Sequence, residues 1–131
     1  ANVLYVQEYL PIDRDVRVVV VGDRVLTAYW RTQAEQGFYN NVSKGGRIDN
    51  REVPAAATEL ALRLARELGV DHAGFDIALV EGYPYVLEFN RLFGNQGLGR
   101  GTELQDAILG YLHQQTPTGP SGPSPVWPQA V

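Results

Sequence analysis

The valine-rich run at residues 16–21 restricts the possible folds of this chain more than any other segment. It reads VRVVVV, so apolar β-branched side chains continue almost without interruption. Such a run is typical of a strand that is covered on both faces. Gly22-Asp23 ends it, and Val25–Arg31 is predicted to be a second strand. The two strands are therefore expected to form a β-hairpin in an antiparallel sheet.

Three more strands and two helices are predicted along the chain. The strands, rich in β-branched and aromatic residues, are Val3–Leu10, Phe75–Val80 and Tyr85–Asn90. The first helix spans Pro54–Leu68, where apolar residues recur at helical spacing, and Gly69 follows as its C-cap. A second amphipathic helix begins after Thr102 and is expected to bury a stripe of apolar residues. The predicted fold class is α+β, an antiparallel sheet with two packed helices.

Two segments lack a periodic pattern. Residues 32–51 are polar and glycine-rich, and a connection of this length is often a functional or mobile loop. From Gln114 onward, proline, glycine, serine and threonine dominate, which predicts a disordered tail or linker. We therefore expect residues 1–113 to form one lobe and residues 114–131 to be a tail or linker.

Composition excludes several classes of function. The net charge of −4 argues against a general binder of nucleic acid or of anionic membranes. The absence of cysteine excludes disulfides and thiolate metal sites. No signal peptide or membrane span is predicted, so we expect a cytoplasmic protein. The chain has no methionine and opens directly on a strand-like run, so we expect it to be part of a longer protein.

The sharpest chemical pattern lies in the second predicted hairpin. Alternate residues of a strand share a face, so Glu88 and Asn90 point the same way, whereas Leu87 and Phe89 point into the core. A three-residue connection at residues 81–83 would place Asp76 directly opposite Glu88. Two opposed carboxylates repel each other unless a cation lies between them, and hard oxygen ligands suit Mg²⁺ or Mn²⁺. The pattern by itself leaves open a metal site or a solvated polar face.

A set of ordered motifs resembles the C-terminal half of RimK-type ATP-grasp ligases, the group with the ribosomal-protein glutamate ligase and LysX-like enzymes. The resemblance covers roughly residues 3–113 and is specific because the whole set occurs in order. Its motifs are Gln7-Glu8-Tyr9, Asp15-Val16-Arg17, Arg31, Asn41, Gly45-Gly46, Asp71-His72-Ala73-Gly74-Phe75-Asp76-Ile77 and Leu87-Glu88-Phe89-Asn90.

The resemblance implies a role for each matching residue. Glu8 and Tyr9 would meet the adenine, and Asp15 would lie near the ribose. Arg17 and Arg31 would act on the phosphates or on the activated carboxylate. Tyr39 and Asn41, in the loop on the nucleotide side, would contact the nucleotide. Asp76, Glu88 and Asn90 would be the metal ligands.

The resemblance also implies a reaction. A substrate carboxylate attacks the γ-phosphate of ATP to give an acyl phosphate, and an amine then displaces phosphate to form an amide. The implied cofactors are ATP and Mg²⁺ (or Mn²⁺). The implied partners are a carboxylate and an amine, either of which could belong to an amino acid, a peptide or a protein tail. Further partners are N-terminal lobes that this chain does not contain, so the chain alone is expected to bind nucleotide weakly and to be inactive.

Two departures from the family pattern concern the substrates. Residues 91–95, Arg-Leu-Phe-Gly-Asn, replace a Ser-Pro-Gly turn that lies close to the substrate side in many relatives. Tyr39 replaces the basic residue of the ribosomal-protein ligase at that loop position. The first difference implies that the amine or the acid handled here is unusual, and the second argues against glutamate transfer to a ribosomal protein.

Simpler interpretations stay open at this point. Arg17 could be a cation on the sheet surface, and Arg31 could pair with Glu35 or lie in solvent. His72 and His113 are interpreted as surface residues. The whole chain could also be a non-catalytic module that binds a nucleotide, a metal or a partner protein.

Overall fold

The chain forms one antiparallel sheet and two helices, as the predicted α+β class requires. The computed structural model describes residues 3–32, 47–93, 98 and 101–116. The strands are β1 (Arg14–Val21), β2 (Arg24–Thr32), β3 (Arg47–Asp49), β4 (His72–Val80) and β5 (Tyr83–Asn90), and the helices are α1 (Ala55–Leu68) and α2 (Glu103–Gln115). Neither of these two helices is long and apolar enough to cross a membrane.

The valine-rich strand β1 lies in the middle of the sheet. The strand order is β3-β2-β1-β4-β5, and β1 pairs antiparallel with both β2 and β4. Val16, Val18, Val19 and Val20 are fully inaccessible to solvent. Because these residues alternate between the two faces of the strand, both faces are covered, as the sequence predicts.

Helix α1 covers one face of the sheet. Its alanines Ala57, Ala61 and Ala65 are buried and allow the helix to lie close to the strands. The core beneath them is apolar throughout and consists of Val16, Val18, Val20, Trp30, Ala73, Phe75 and Ile77. Gly69 adopts the left-handed conformation with φ of 62° and ends the helix at the predicted position.

The turn between β4 and β5 differs from the prediction. Val80 pairs with Tyr83, so only Glu81 and Gly82 form the connection and not three residues. Both have positive φ, 51° and 81°. Two consecutive positive φ values are the signature of the hairpin turn that best matches the twist of paired strands.

A bulge beside Asp76 restores the pairing that the sequence predicted. Ile77 pairs with Val86, whereas Asp76 pairs with Glu88, so Leu87 is an extra residue in β5. Without the bulge, the register of the turn would place Leu87 opposite Asp76. The bulge therefore keeps two carboxylates opposite each other, and bulges often re-aim side chains in this way near functional sites.

Outer strand β5 is less buried than predicted. Phe89 stacks on the core residue Phe75 with ring centroids 5.8 Å apart, yet it is 43% exposed, and Leu87 is 41% exposed. The reason is that β5 has only one neighbouring strand among the described residues. The predicted direction therefore holds for Phe89, which reaches the core, but neither side chain is buried as expected.

Three further predictions need correction. Residues 3–10 form no strand and are largely exposed, because no strand of the described chain pairs with their backbone. The segment read as a long loop contains β3, which pairs with β2. Helix α2 extends to Gln115, so an ordered element continues two residues past the predicted start of the tail. Residues 117–131 lie outside the described part of the chain.

Helix α2 packs at the end of the β1–β2 hairpin. Its predicted apolar stripe faces the protein but is only half-buried at Leu104, Ala107, Ile108 and Tyr111, and Leu112 is exposed. Tyr111 provides the main contact, because its hydroxyl donates to Asp71 at 2.9 Å and its ring lies over Gly22. A Cβ at Gly22 would come within 2.5 Å of that ring, and φ there is 61°, so glycine is required for both reasons.

Candidate functional site

One row of paired residues crosses four strands on the face opposite helix α1. Tyr29 in β2 pairs with Arg17 in β1, Arg17 pairs with Asp76 in β4, and Asp76 pairs with Glu88 in β5. Directly paired residues of antiparallel strands point to the same face. The sheet register therefore gathers a phenol, a guanidinium and two carboxylates that are far apart in the sequence.

The Arg17 guanidinium holds Asp76 with two hydrogen bonds. Its Nε donates to Asp76 Oδ1, and its Nη2 donates to Asp76 Oδ2 at 3.0 Å. Both residues are buried, with exposures of 7% and 5%. A two-pronged pair of this kind fixes the orientation of both side chains as well as their separation.

Arg31 connects two carboxylates. Its Nε and Nη2 donate to Asp15 at 2.8 and 2.6 Å, and the same Nη2 lies 2.8 Å from Asp76 Oδ2. Asp76 therefore accepts from two arginines. The four side chains, Asp15, Arg31, Asp76 and Arg17, form a continuous buried network whose formal charges sum to zero. We call these four residues the charged cluster.

Burial and the charged cluster together shift two pKa values. Burial alone would lower the pKa of Arg31, but the hydrogen bonds and charge of Asp15, with the charge of Asp76, raise it, so Arg31 stays a cation. Burial raises the pKa of Tyr29, and this effect exceeds the lowering by the two arginine charges. The site therefore contains a neutral phenol between permanent cations and carboxylates.

The two remaining predicted metal ligands lie at the outer strand. Asn90 Nδ2 donates to Glu88 Oε1 at 2.7 Å, and Glu88 is exposed. Carboxylate and amide oxygens are the donor types that Mg²⁺ uses. No three acidic or histidine side chains among the described residues are grouped so that they could hold a metal. A divalent cation here would therefore need the amide oxygen or a ligand from a substrate, and Asp76 would have to share its oxygens with the two arginines.

The structure decides between several interpretations of single residues. Arg17 is not a surface cation, and Arg31 does not lie in solvent, because the sheet buries both and carboxylates pair with them. Glu8 and Tyr9 lie in the exposed segment before β1. Tyr39, Asn41 and Glu35 lie outside the described residues, so their predicted roles stay predictions.

Sequence reasoning missed two aromatic residues of this face. Tyr29 stands two positions before Arg31 in the same strand, and that spacing already indicated a shared face. Phe93 follows β5, and the carbon of the Arg17 guanidinium lies 6.0 Å from its ring centroid. The sequence singled out residues 91–95 only as a departure from the family pattern. It did not indicate the contact of Phe93 with Arg17, because that contact depends on how the chain turns after Asn90.

Comparisons with known proteins agree with the geometry. A family model described as the RimK-like ATP-grasp domain matches residues 1–112. The ribosomal protein bS6–L-glutamate ligase of Escherichia fergusonii is 37% identical over 101 residues, which are 76% of this chain and 34% of that protein. The tetrahydromethanopterin:alpha-L-glutamate ligase of Methanocaldococcus jannaschii is 36% identical over 110 residues, covering 81% of this chain and 38% of that protein. The chain thus spans little more than a third of these relatives.

A solved structure supports the same assignment. The ATP-grasp ligase PsnB, complexed with a minimal precursor, Mg and ADP, superposes with a TM-score of 0.58 at 29% identity. The match covers 78% of this chain and 34% of PsnB. The resemblance found in the sequence motifs is confirmed, and this chain belongs to the RimK-like ATP-grasp family.

Proposed function

We propose that this chain is the metal-binding lobe of an ATP-dependent ligase that joins a carboxylate to an amine through an acyl phosphate. The observation that carries the proposal is the row Arg17–Asp76–Glu88, which the sheet register assembles on one face. Family membership supports it, because the matched relatives are named as ligases. The full reaction belongs to a protein longer than this lobe, since the matched residues cover little more than a third of these relatives.

The two arginines form the anion-binding part of the proposed site. Their guanidiniums are already oriented by Asp15 and Asp76 before any substrate binds. Preorganised donors stabilise charge that develops on a transferring phosphoryl group more effectively than mobile ones. Arg17 and Arg31 would bind the phosphate or the acyl phosphate, while Asp15 keeps Arg31 in place.

Asp76, Glu88 and Asn90 would hold Mg²⁺ or Mn²⁺ in this proposal. When bound, the ion neutralises charge on the phosphates of ATP and aligns them. Glu88 is the most accessible of the three because it lies exposed on the outer strand, and Asn90 orients it through their hydrogen bond. The adenine and ribose contacts proposed for Glu8, Tyr9, Asp15, Tyr39 and Asn41 follow from the family resemblance.

The acid and the amine can be assigned only as classes. The two relatives act, by their names, on a ribosomal protein and on tetrahydromethanopterin, and they are almost equally similar to this chain. PsnB was also solved with the precursor peptide PsnA2. We infer an amino acid, such as glutamate, as one partner and a peptide, a protein tail or a small molecule as the other.

Glu88→Gln in the longest protein that the gene encodes tests the proposal. This change keeps the shape of the side chain and removes its charge, so the fold should stay intact because Glu88 is exposed. Mg²⁺ with ADP should raise the melting temperature of the unchanged protein by linkage, and the increase should disappear in the variant. ATP-dependent phosphate release with glutamate should fall at least about 100-fold, the loss that follows removal of one group that stabilises transition-state charge.

Glu67→Gln is the matched control, because Glu67 is an exposed residue of helix α1. It should retain both the thermal shift and the phosphate release. A non-catalytic module makes a different prediction, in which the unchanged protein binds Mg²⁺ with ADP but releases no phosphate with any amine. Equal thermal shifts in the Glu88 and Glu67 variants would refute the metal-binding role.

A further inference from the structure

Gly74 marks an unusually close approach on the face of the charged cluster. This residue lies inside β4, paired with Val19 on one side and Asn90 on the other. Its φ is not positive, so the backbone conformation does not require glycine. Glycine inside a strand is unfavourable by roughly 0.5–1 kcal/mol and often marks a place where another group approaches closely. The reason for Gly74 must therefore be space above the strand.

Two side chains use that space. A Cβ on Gly74 would lie 3.1 Å from the ring atoms Cγ and Cδ1 of Phe93 and 3.2 Å from Cδ of Arg17. The Phe93 ring and the aliphatic part of Arg17 thus meet over a residue that has no side chain. The ring also lies beside His72, with centroids 5.9 Å apart. Phe93 is therefore near both His72 and Arg17.

We propose that Phe93 is a positioning residue that acts through Arg17. Asp76 holds the guanidinium at its end, and Phe93 packs against the stem over Gly74, so the two contacts restrain different parts of the side chain. The ring also faces the guanidinium carbon at 6.0 Å, the outer limit of a cation–π contact. The stem contact matters most when an anion competes with Asp76 for the guanidinium, because Phe93 then still limits where Arg17 can point.

This inference rests on the proposed function in one respect, namely that Arg17 binds an anionic group of the nucleotide or acyl phosphate. It goes beyond the family resemblance, because residues 91–95 are where this sequence departs from the turn found in many relatives. Replacing Phe93 would leave the four charges of the charged cluster unchanged. It would alter only the restraint on the Arg17 side chain.

The test compares Phe93→Ala, Phe93→Tyr and Leu92→Ala in the longest protein that the gene encodes. The first readout is hydrogen exchange of the Arg17 Nε–H by NMR, assigned with Arg17→Lys. The second is calorimetric binding of Mg²⁺ with ADP. Phe93→Ala should speed exchange at least tenfold and weaken ADP binding about fivefold. Phe93→Tyr keeps the ring and should restore both values, a rescue that loss of general stability does not produce.

Leu92→Ala is the matched control in the same segment, because Leu92 is 93% exposed. It should change neither readout. Arg17 exchange within twofold of the unchanged protein in Phe93→Ala would overturn the proposal, and so would a Phe93→Tyr variant that behaves like Phe93→Ala. If the unchanged protein fails to bind Mg²⁺ with ADP, the proposed function is wrong, and the exchange measurement still decides whether Phe93 positions Arg17.

Gly74→Ala provides a second route to the same answer. The added methyl group would crowd the Phe93 ring and the Arg17 stem, so both readouts should move in the direction seen with Phe93→Ala, by a smaller amount. When Phe93 is already alanine, the methyl group of Gly74→Ala no longer clashes with a ring. The effects of the two substitutions on each readout should therefore be smaller together than their sum. Strict additivity of the two substitutions would contradict a shared contact over Gly74.

Discussion

At the centre of the sheet both faces are buried, but their side chains differ in chemistry. Beneath helix α1, Val16, Phe75 and Ile77 are completely inaccessible and entirely apolar. On the other face, Arg17 and Asp76 are at most 7% exposed and carry full charges. Both sets come from the same strands and alternate residue by residue.

The two faces differ in what a buried side chain needs in order not to destabilise the fold. Apolar side chains need only to be removed from water, so their packing is non-directional. Buried charges are tolerated only with partners at hydrogen-bond distance, and such pairs contribute little net stability. The charged cluster therefore contributes mainly a defined arrangement of donors and acceptors, whereas the apolar face contributes most of the stability.

The largest expected effect tests the apolar face. Phe75→Ala removes a completely buried ring that also stacks on Phe89, and it should lower the free energy of unfolding by about 3–5 kcal/mol. Denaturant unfolding measures this change. Binding of Mg²⁺ with ADP, corrected for the folded fraction, should stay the same, because Phe75 lies on the helix side. A loss of affinity in the folded fraction would show that the two faces are coupled.

A slightly smaller effect is expected on the charged face. Asp76→Ala leaves the Arg17 guanidinium buried without a carboxylate and should lower the free energy of unfolding by about 3 kcal/mol. The value lies at the low end of the usual range because Arg31 keeps Asp15. Denaturant unfolding again provides the measurement.

The double variant Arg17→Met/Asp76→Leu sharpens this comparison. It removes both charges together, so no cation is left without its partner, and most of the lost stability should return. Nucleotide binding should be abolished in Asp76→Ala and in the double variant alike. If the double variant is as unstable as Asp76→Ala, the charged cluster contributes more to stability than paired burial explains.

The smallest effect is a pH dependence on the charged face. Burial raises the pKa of Tyr29, so the folded protein keeps the phenol neutral at a pH where the unfolded chain ionises it. The contribution of Tyr29 to stability is thus complete below the unfolded value of about 10 and is lost as pH rises through the folded pKa. Tyr29→Phe should flatten the fall in melting temperature above pH 10. Parallel curves for the two proteins would argue against this origin.

Local patterns predicted the elements of this fold well. The β1–β2 hairpin, helix α1 with its C-cap at Gly69, and the β4–β5 hairpin follow from side-chain periodicity and from turn residues, which act over a few neighbours. The prediction was wrong for residues 3–10, where β-branched and aromatic composition indicated a strand. A strand also needs a partner for its backbone groups, and composition does not supply one.

The residues of the candidate site were predicted from the strand pattern and from the family resemblance, but the contacts between them were not. Arg17, Arg31 and Asp76 were each singled out, whereas their mutual ion pairs depend on which strands lie side by side. The opposition of Asp76 and Glu88 was expected from a three-residue turn. The structure reaches it with a two-residue turn and a bulge at Leu87.

The sequence by itself determined that β1 must be covered on both faces, because a run of valines has no polar side to expose. It also determined which residues carry charge and which face of each strand they occupy. Only the tertiary structure decided that the four residues of the charged cluster form ion pairs with a net charge of zero. It also decided that Phe93 packs over Gly74 and that β5 is partly exposed. These outcomes depend on strand order and register, which bring together residues that are far apart in the sequence. Arg17 and Asp76, for example, are 59 positions apart. No short stretch of sequence contains that information.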